Sequence, residues 1–187
     1  MMQVYTIKGT GSLNEDALIV NEKDSVYGVA DGATSLIDYR DEFGLTGGYL
    51  ASQLLALHLQ KVPYDTRLEE VAIRANAALR QSMLSAGIDI EDKRQLWSAA
   101  FVYFRVRDTY VEYVQAGDCM LFAKYADGTY RQVTHDQVAH ADRVTLQKTR
   151  RGNRQRHHRT GKKSVNIYIR RSVKTGEKRI RRKDMPL

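Results

Sequence analysis

The chain has 187 residues with two prolines, one cysteine and a formal net charge of +8. No apolar stretch approaches the roughly 18 residues that a membrane helix needs, and the first residues have neither a basic segment nor a long apolar core, so we expect no membrane span and no signal peptide. A single cysteine, Cys119, cannot form an internal disulfide, which predicts a cytoplasmic protein in which this thiol is a small buried side chain.

The charge is divided unevenly along the chain. Residues 1–147 carry 14 basic and 20 acidic side chains, a net charge of −6, whereas residues 148–187 carry 16 and 2, a net charge of +14. A change of this kind separates a folded body from a solvated segment. We therefore predict one acidic domain over residues 1–147 and a basic segment over residues 148–187.

Three short apolar runs, at residues 4–7, 17–20 and 26–30, predict strands. Glu15 and Asp16 directly precede the second run, and Asp31 with Gly32 follows the third. Carboxylates gathered at the ends of strands repel one another unless a cation neutralises them, and oxygen ligands favour magnesium, manganese or calcium over zinc. The pattern therefore indicates a divalent-metal site, although an Asp-Gly turn and a solvated acidic loop would give the same residues.

Two helices are expected to follow. Residues 46–59 place Leu50, Leu54 and Leu57 at helical spacing, after a pair of glycines. Residues 66–86 begin with Thr66 and Glu69 in the spacing of a capping box and end before a glycine, Gly87, that suits a C-terminal cap. One apolar stripe of this second helix is formed by Leu68, Val71, Ala72, Ala75, Leu79 and Met83.

From Trp97 onward the period changes to that of strands. Residues 98–106 and 110–116 predict one antiparallel pair, and residues 120–125 and 130–134 predict a hairpin around the Asp-Gly at 127–128. Strands, then helices, then strands predict an α+β fold in which helices are layered on antiparallel sheets.

The basic segment shows none of these periods. Clusters of Lys and Arg interrupt any apolar face, leaving only residues 165–169 as a candidate strand, so we expect disorder over most of it. Two interpretations stay open. The segment is a native extension that binds nucleic acid or acidic surfaces without sequence readout, or it is the product of a frameshift in a once-longer gene.

Read in order, the motifs of the body resemble those of the metal-dependent type 2C serine/threonine protein phosphatases over residues 1 to about 140. The resemblance rests on six short motifs: Asn14-Glu15-Asp16, Val29-Ala30-Asp31-Gly32, Gly47-Gly48 through Ala51-Ser52, Trp97-Ser98-Ala99-Ala100, Ala116-Gly117-Asp118-Cys119 and Thr134-His135-Asp136. It implies an antiparallel β-sandwich layered with α-helices, here in truncated form, that acts on phosphorylated Ser/Thr proteins.

The same resemblance implies roles for individual residues. Asp31 would bridge two Mg²⁺ or Mn²⁺ ions, the carbonyl of Gly32 would complete one coordination shell, and Glu15 would reach the second ion. Asp16 would be the catalytic carboxylate that orients the attacking water. Asp118 matches a position that holds a third, weaker metal in some members, although a turn aspartate explains it equally well.

Three departures from the family pattern predict an impaired enzyme. Gly11 stands where an arginine usually binds the substrate phosphate, and Lys8 is the nearest substitute. The two later metal aspartates have no counterpart in the body, and Asp184 lacks their surrounding sequence. The sequence therefore predicts an incomplete two-metal site in a weakened phosphatase, or alternatively a catalytically silent binding module with a basic attachment segment.

Overall fold

The computed structural model describes residues 3–33 and 35–140. In chain order, the elements are β1 Asp16–Asn21, β2 Val26–Ala33, α1 Gly47–Gln60, α2 Leu68–Ser85, β3 Ser98–Val106, β4 Val111–Ala116, β5 Phe122–Lys124 and β6 Tyr130–Gln132. The first four strands form one antiparallel sheet in the order β1-β2-β3-β4, and β5 pairs with β6. The predicted α+β class, with two helices layered on antiparallel sheet, is confirmed.

The core lies between the four-stranded sheet and the two helices. Ile19, Val26 and Tyr103 from the sheet are buried against Leu59 of α1 and Leu68 of α2. The Tyr103 hydroxyl donates to the Leu68 carbonyl oxygen at 3.0 Å, so the largest of these side chains keeps a hydrogen-bond partner inside the core. Within the described residues, neither helix is both long and apolar enough to cross a membrane.

Helix α1 differs from the predicted leucine stripe. Leu57 is 51% exposed, whereas the face toward the sheet is made of small residues such as Ala51 and Ser52 together with Leu55 and Leu59. The reason is that α1 is apolar on most of its circumference, so leucine spacing alone does not identify the buried face. The small residues let the helix lie close to the strands.

Helix α2 begins without the predicted capping box. Its N-cap residue is Arg67, which makes no side-chain cap bond, and the carbonyl of Thr66 instead accepts a hydrogen bond from the buried Arg105 at 2.7 Å. The same guanidinium donates to the carbonyls of Pro63 and Tyr64. Arg105 thus anchors the loop between the two helices through three backbone carbonyls. This is a tertiary interaction that local sequence does not reveal.

Several local predictions are confirmed and two are wrong. Gly87 and Gly128 adopt positive φ angles of 73° and 88° at the end of α2 and in the β5–β6 turn, as expected for glycine. Residues 4–7 are not a strand, because no described strand pairs with the outer edge of β1. The Asp-Gly at 31–32 is not a turn, because β2 continues through it. The predictions for residues 148–187 lie outside the described residues.

Candidate active site

The acidic residues lie at one end of the four-stranded sheet. Asp16 is paired directly with Asp31 across β1 and β2, and Asp31 is paired with Ala100 of β3. A side chain on Gly117, which follows β4, would lie only 2.6 Å from the Ala100 Cβ. Small residues at these two positions therefore bring the chain that carries the exposed Asp118 toward the Asp16 and Asp31 pair.

Glycines allow the start of α1 to approach this end of the sheet. A Cβ on Gly32 would overlap the carbonyl oxygen of Gly48 and would lie 2.8 Å from the carbonyl oxygen of Glu15. A Cβ on Gly47 would overlap the indole of Trp97. Glycine is therefore required on both sides of the contact between helix and sheet, and the glycine-rich motif of the sequence acquires a physical reason.

Glu15 is attached to the start of α1 by both its side chain and its backbone. Its Oε1 accepts a hydrogen bond from the Thr46 hydroxyl at 2.5 Å, and its carbonyl oxygen accepts from the Ser52 hydroxyl at 2.6 Å and from the Gly32 amide at 3.2 Å. Thr46 also caps the helix through the Tyr49 amide. These contacts fasten the residue before β1 to the start of α1.

Asp16 is oriented by a short chain of polar side chains. Its Oδ2 accepts from the Thr6 hydroxyl at 3.3 Å, and that hydroxyl accepts from the Asn14 amide at 3.0 Å. The Asn14 Oδ1 accepts in turn from the Asp16 backbone amide at 3.3 Å, and Gln53 of α1 donates to the Asp16 carbonyl at 3.3 Å. Sequence analysis missed Thr6 and Gln53, because each acts across a distance in the chain that no local motif spans.

The pKa of the Cys119 thiol reflects the negative charge at this end of the sheet. Burial of the thiol, followed in importance by the charges of Asp31 and Asp118 and more weakly Asp16, raises the pKa of Cys119 from 9.0 to about 12. The three carboxylates therefore lie close enough to one thiol to disfavour its ionisation. Cys119 is half-buried rather than fully buried, and its raised pKa agrees with the expectation that it is not a nucleophile.

Within residues 3–33 and 35–140, no three or more His, Cys, Asp or Glu side chains are grouped so that they could hold a metal ion. The predicted convergence of Glu15, Asp16 and Asp31 in one coordination sphere is therefore not observed. Asp16 and Asp31 face one another, but the Glu15 carboxylate is engaged by Thr46. The metal assignments of Glu15, Asp31, Gly32 and Asp118, and the catalytic assignment of Asp16, remain predictions.

In the segment expected to bind phosphate, the nearest basic side chain, Lys8, contacts its own segment. Lys8 donates from Nζ to the Ser12 carbonyl oxygen at 3.3 Å. A Cβ on Gly11 would meet its nearest neighbour, the Leu13 carbonyl oxygen, at 3.5 Å, which is ordinary contact. The position of the family's arginine is therefore open enough to accept a side chain.

A family model described as protein phosphatase 2C matches residues 7–169. The chain belongs to the protein phosphatase 2C family. This finding confirms the resemblance inferred from the six motifs. The matched region extends past residue 147 into the basic segment, while the boundary predicted there stays a prediction.

Solved structures of protein phosphatase 2C type share the fold. PppA from Pseudomonas aeruginosa is 18% identical with a TM-score of 0.52, and the alignment covers 79% of this chain and 59% of PppA. The serine/threonine phosphatase PstP/Ppp of Mycobacterium tuberculosis is 18% identical with a TM-score of 0.50, and the coverage is 79% and 57%. The chain thus spans less than three-fifths of either protein. A search of curated proteins finds no match.

Proposed function

We propose that this domain hydrolyses phosphoserine or phosphothreonine in proteins, with Mg²⁺ or Mn²⁺ as cofactor. The observation that carries the proposal is the direct pairing of Asp16 with Asp31 at a sheet end against which the start of α1 is packed through glycine. Two carboxylates held face to face on paired strands repel one another, and a divalent cation relieves that repulsion. Membership of the protein phosphatase 2C family supports the same reaction.

The donor set fits part of a two-metal site. Carboxylates and a backbone carbonyl are the ligands that hard cations prefer, and Asp31, the Gly32 carbonyl and Glu15 would hold the ions, with Asp118 at a weaker position. When bound, such ions supply a hydroxide at neutral pH and neutralise charge on the phosphoryl oxygens. Among the described residues, no three His, Cys, Asp or Glu side chains are grouped as a metal site, so this donor set is incomplete.

The protein's own residues supply orientation. The Thr6 hydroxyl holds the Asp16 carboxylate, and the Gln53 side-chain amide holds the Asp16 backbone carbonyl. The Asp16 carboxylate accepts a proton or hydrogen bond from the water that attacks phosphorus. Thr46 holds the Glu15 carboxylate at the start of α1, which restricts the rotation of the Glu15 side chain. The glycine contact holds the start of α1 close to Gly32, the residue that follows Asp31 in β2.

We further propose that this chain hydrolyses its substrate slowly. Phosphate capture is weakened because Gly11 replaces an arginine and Lys8 is hydrogen-bonded to the Ser12 carbonyl. The second candidate is a catalytically silent phosphatase-like binding module that recognises a partner, with a basic segment for nucleic acid or acidic surfaces; the absence of an arginine at residue 11 is compatible with it. A cytoplasmic location and non-specific binding of nucleic acid by residues 148–187 stay predictions.

Hydrolysis of a phosphothreonine peptide by the full chain with Mn²⁺ tests the proposal. We expect slow turnover that disappears with a chelator and in the Asp31→Asn variant. It should persist in the matched variant Asp108→Asn, on the exposed β3–β4 turn. Peptide binding without any turnover would favour the silent module. Rapid turnover that Asp31→Asn abolishes would overturn the proposed impairment, and turnover unaffected by Asp31→Asn would overturn the assignment of the site.

A further inference from the structure

The loop from β2 to α1 exposes large apolar side chains. Leu36 is 86% exposed, Phe43 is 78% exposed and Ile37 is 42% exposed. We call residues 35–46 the apolar loop. Single exposed apolar residues are ordinary on protein surfaces, but three on one short loop offer apolar area whose burial by another molecule would be favourable.

The apolar loop is held by hydrogen bonds at several points. At its start, the Ser35 hydroxyl donates to the Leu96 carbonyl at 3.1 Å and the Ile37 amide donates to the Arg94 carbonyl at 3.0 Å. At its tip, the Asp41 carboxylate accepts from the amides of two following residues, Phe43 at 2.9 Å and Leu45 at 2.8 Å. A loop fixed in this way loses little conformational freedom when a partner binds to it.

Both ends of the apolar loop are connected to the candidate active site. Gly32, three residues before Ser35, donates its amide to the Glu15 carbonyl. Thr46, the last residue of the loop, donates its hydroxyl to the Glu15 carboxylate. Tyr39 from the middle of the loop packs on Trp97, which lies directly before β3, with ring centroids 4.7 Å apart. The loop that carries the exposed side chains is therefore attached at both ends to Glu15, next to Asp16 of the acidic site.

The charge of the apolar loop selects among partners. Residues 35–46 include three acidic side chains, Asp38, Asp41 and Glu42, against one basic side chain, Arg40, which gives a net charge of −2. A partner that buries Leu36 and Phe43 would place its flanking residues next to these carboxylates. Basic flanking residues complement that charge, and acidic ones are repelled.

We propose that the apolar loop binds the protein substrate at a segment that carries a large apolar side chain next to basic residues. The inference rests on the proposed function, because it assigns a substrate preference to the same site. Contact with Leu36 and Phe43 would hold the phosphorylated residue near Asp16 and Asp31 even though Gly11 supplies no arginine for its phosphate.

Two fluorescent phosphothreonine peptides that differ at one position, leucine or serine before a pair of arginines, test this inference with the full chain. We expect the wild type to bind the leucine peptide about tenfold more tightly, as burial of one aliphatic side chain would give. Leu36→Ser with Phe43→Ser should reduce this preference to less than about twofold, while the affinity for the serine peptide and the melting temperature stay unchanged. Ile73→Ser, at a 69% exposed position of α2, is the matched control and should keep the preference.

A preference that survives in the double variant, or that Ile73→Ser removes equally, would overturn the inference. A synthetic peptide of residues 162–171 that displaces the leucine peptide from the wild type but does not bind the double variant would also overturn it, since the loop would then bind the chain's own basic segment. Hydrolysis of p-nitrophenyl phosphate by the same samples tests the proposed function separately. A wild-type chain that hydrolyses this compound but shows no preference for the leucine peptide refutes the loop alone, whereas a wild-type chain that keeps the preference but shows no hydrolysis refutes the enzymatic reaction alone.

Discussion

Asp16 and Asp31 are directly opposed residues of two antiparallel strands, and each approaches the same end of the sheet. Like charges in such positions cost about 0.2–1 kcal/mol in an exposed sheet, so a fold that keeps both carboxylates there gives up stability for the sake of the site. The first strand of the sheet begins at Asp16 itself, and Asp31 lies two residues before the end of β2. The pair is therefore held by the sheet register rather than by a loop.

Addition of Mn²⁺ should raise the melting temperature of the wild-type chain, because an ion that binds only the folded state stabilises it by about 2.7 kcal/mol at one hundred times its dissociation constant. Asp31→Asn should remove this increase, since the residue predicted to bridge the ions loses its charge. Thermal melts with and without Mn²⁺ measure both effects. Asp108→Asn is the control, and an equal response of Asp31→Asn and the wild type would contradict the metal assignment.

Gly11→Arg should restore phosphate binding. A Cβ at residue 11 meets only ordinary contact, so the substitution should change the free energy of unfolding by no more than about 0.5 kcal/mol. An arginine can form two parallel hydrogen bonds with a phosphate, which lysine at residue 8 cannot do. We expect a lower KM for a phosphopeptide, and a smaller gain for Gly11→Lys. Equal KM values for Gly11→Arg and the wild type would exclude a phosphate site at this position.

The elements of the fold could be predicted largely from sequence because their signals are local. Period-2 alternation identified β3 and β4, and Gly87 and Gly128 marked a helix end and a turn where only glycine is free of strain. The failures have tertiary causes. Residues 4–7 have strand composition but no described partner strand. The Thr66 carbonyl accepts a hydrogen bond from Arg105, which lies far away in the chain.

The site could be predicted in part. The sequence identified Asp16 and Asp31 as neighbours, and the strand register pairs them. It did not reveal that the Glu15 carboxylate would turn to Thr46, because that contact depends on how closely α1 approaches the sheet through Gly32. Packing of a helix against a strand is a non-local event, and no pattern within either segment encodes it.

The Cys119 thiol should react slowly with Ellman's reagent at pH 8 in the folded chain and rapidly in urea. Its pKa is raised to about 12 by burial and by neighbouring carboxylates, so the reactive thiolate is scarce. Because the folded pKa lies above the ordinary value of 9.0, this group's contribution to stability is complete below pH 9 and is lost as the pH rises toward 12. The chain has one cysteine, so a single rate measures the effect, and equal rates in buffer and urea would contradict it.

Gly32→Ala should weaken the fold and the site together. The added Cβ would overlap the Gly48 carbonyl and lie 2.8 Å from the Glu15 carbonyl, both of them backbone atoms that cannot rotate away. Helix α1 must then move off the sheet, and we expect the free energy of unfolding in urea to fall by about 1–3 kcal/mol, as in other overpacked contacts. Because Thr46 travels with α1, its bond to Glu15 should be lost and Mn²⁺ should no longer stabilise the chain. Gly11→Ala is the matched control, since its Cβ has room at 3.5 Å. If both alanines lower the unfolding free energy equally, close approach of α1 is not what requires glycine at residue 32.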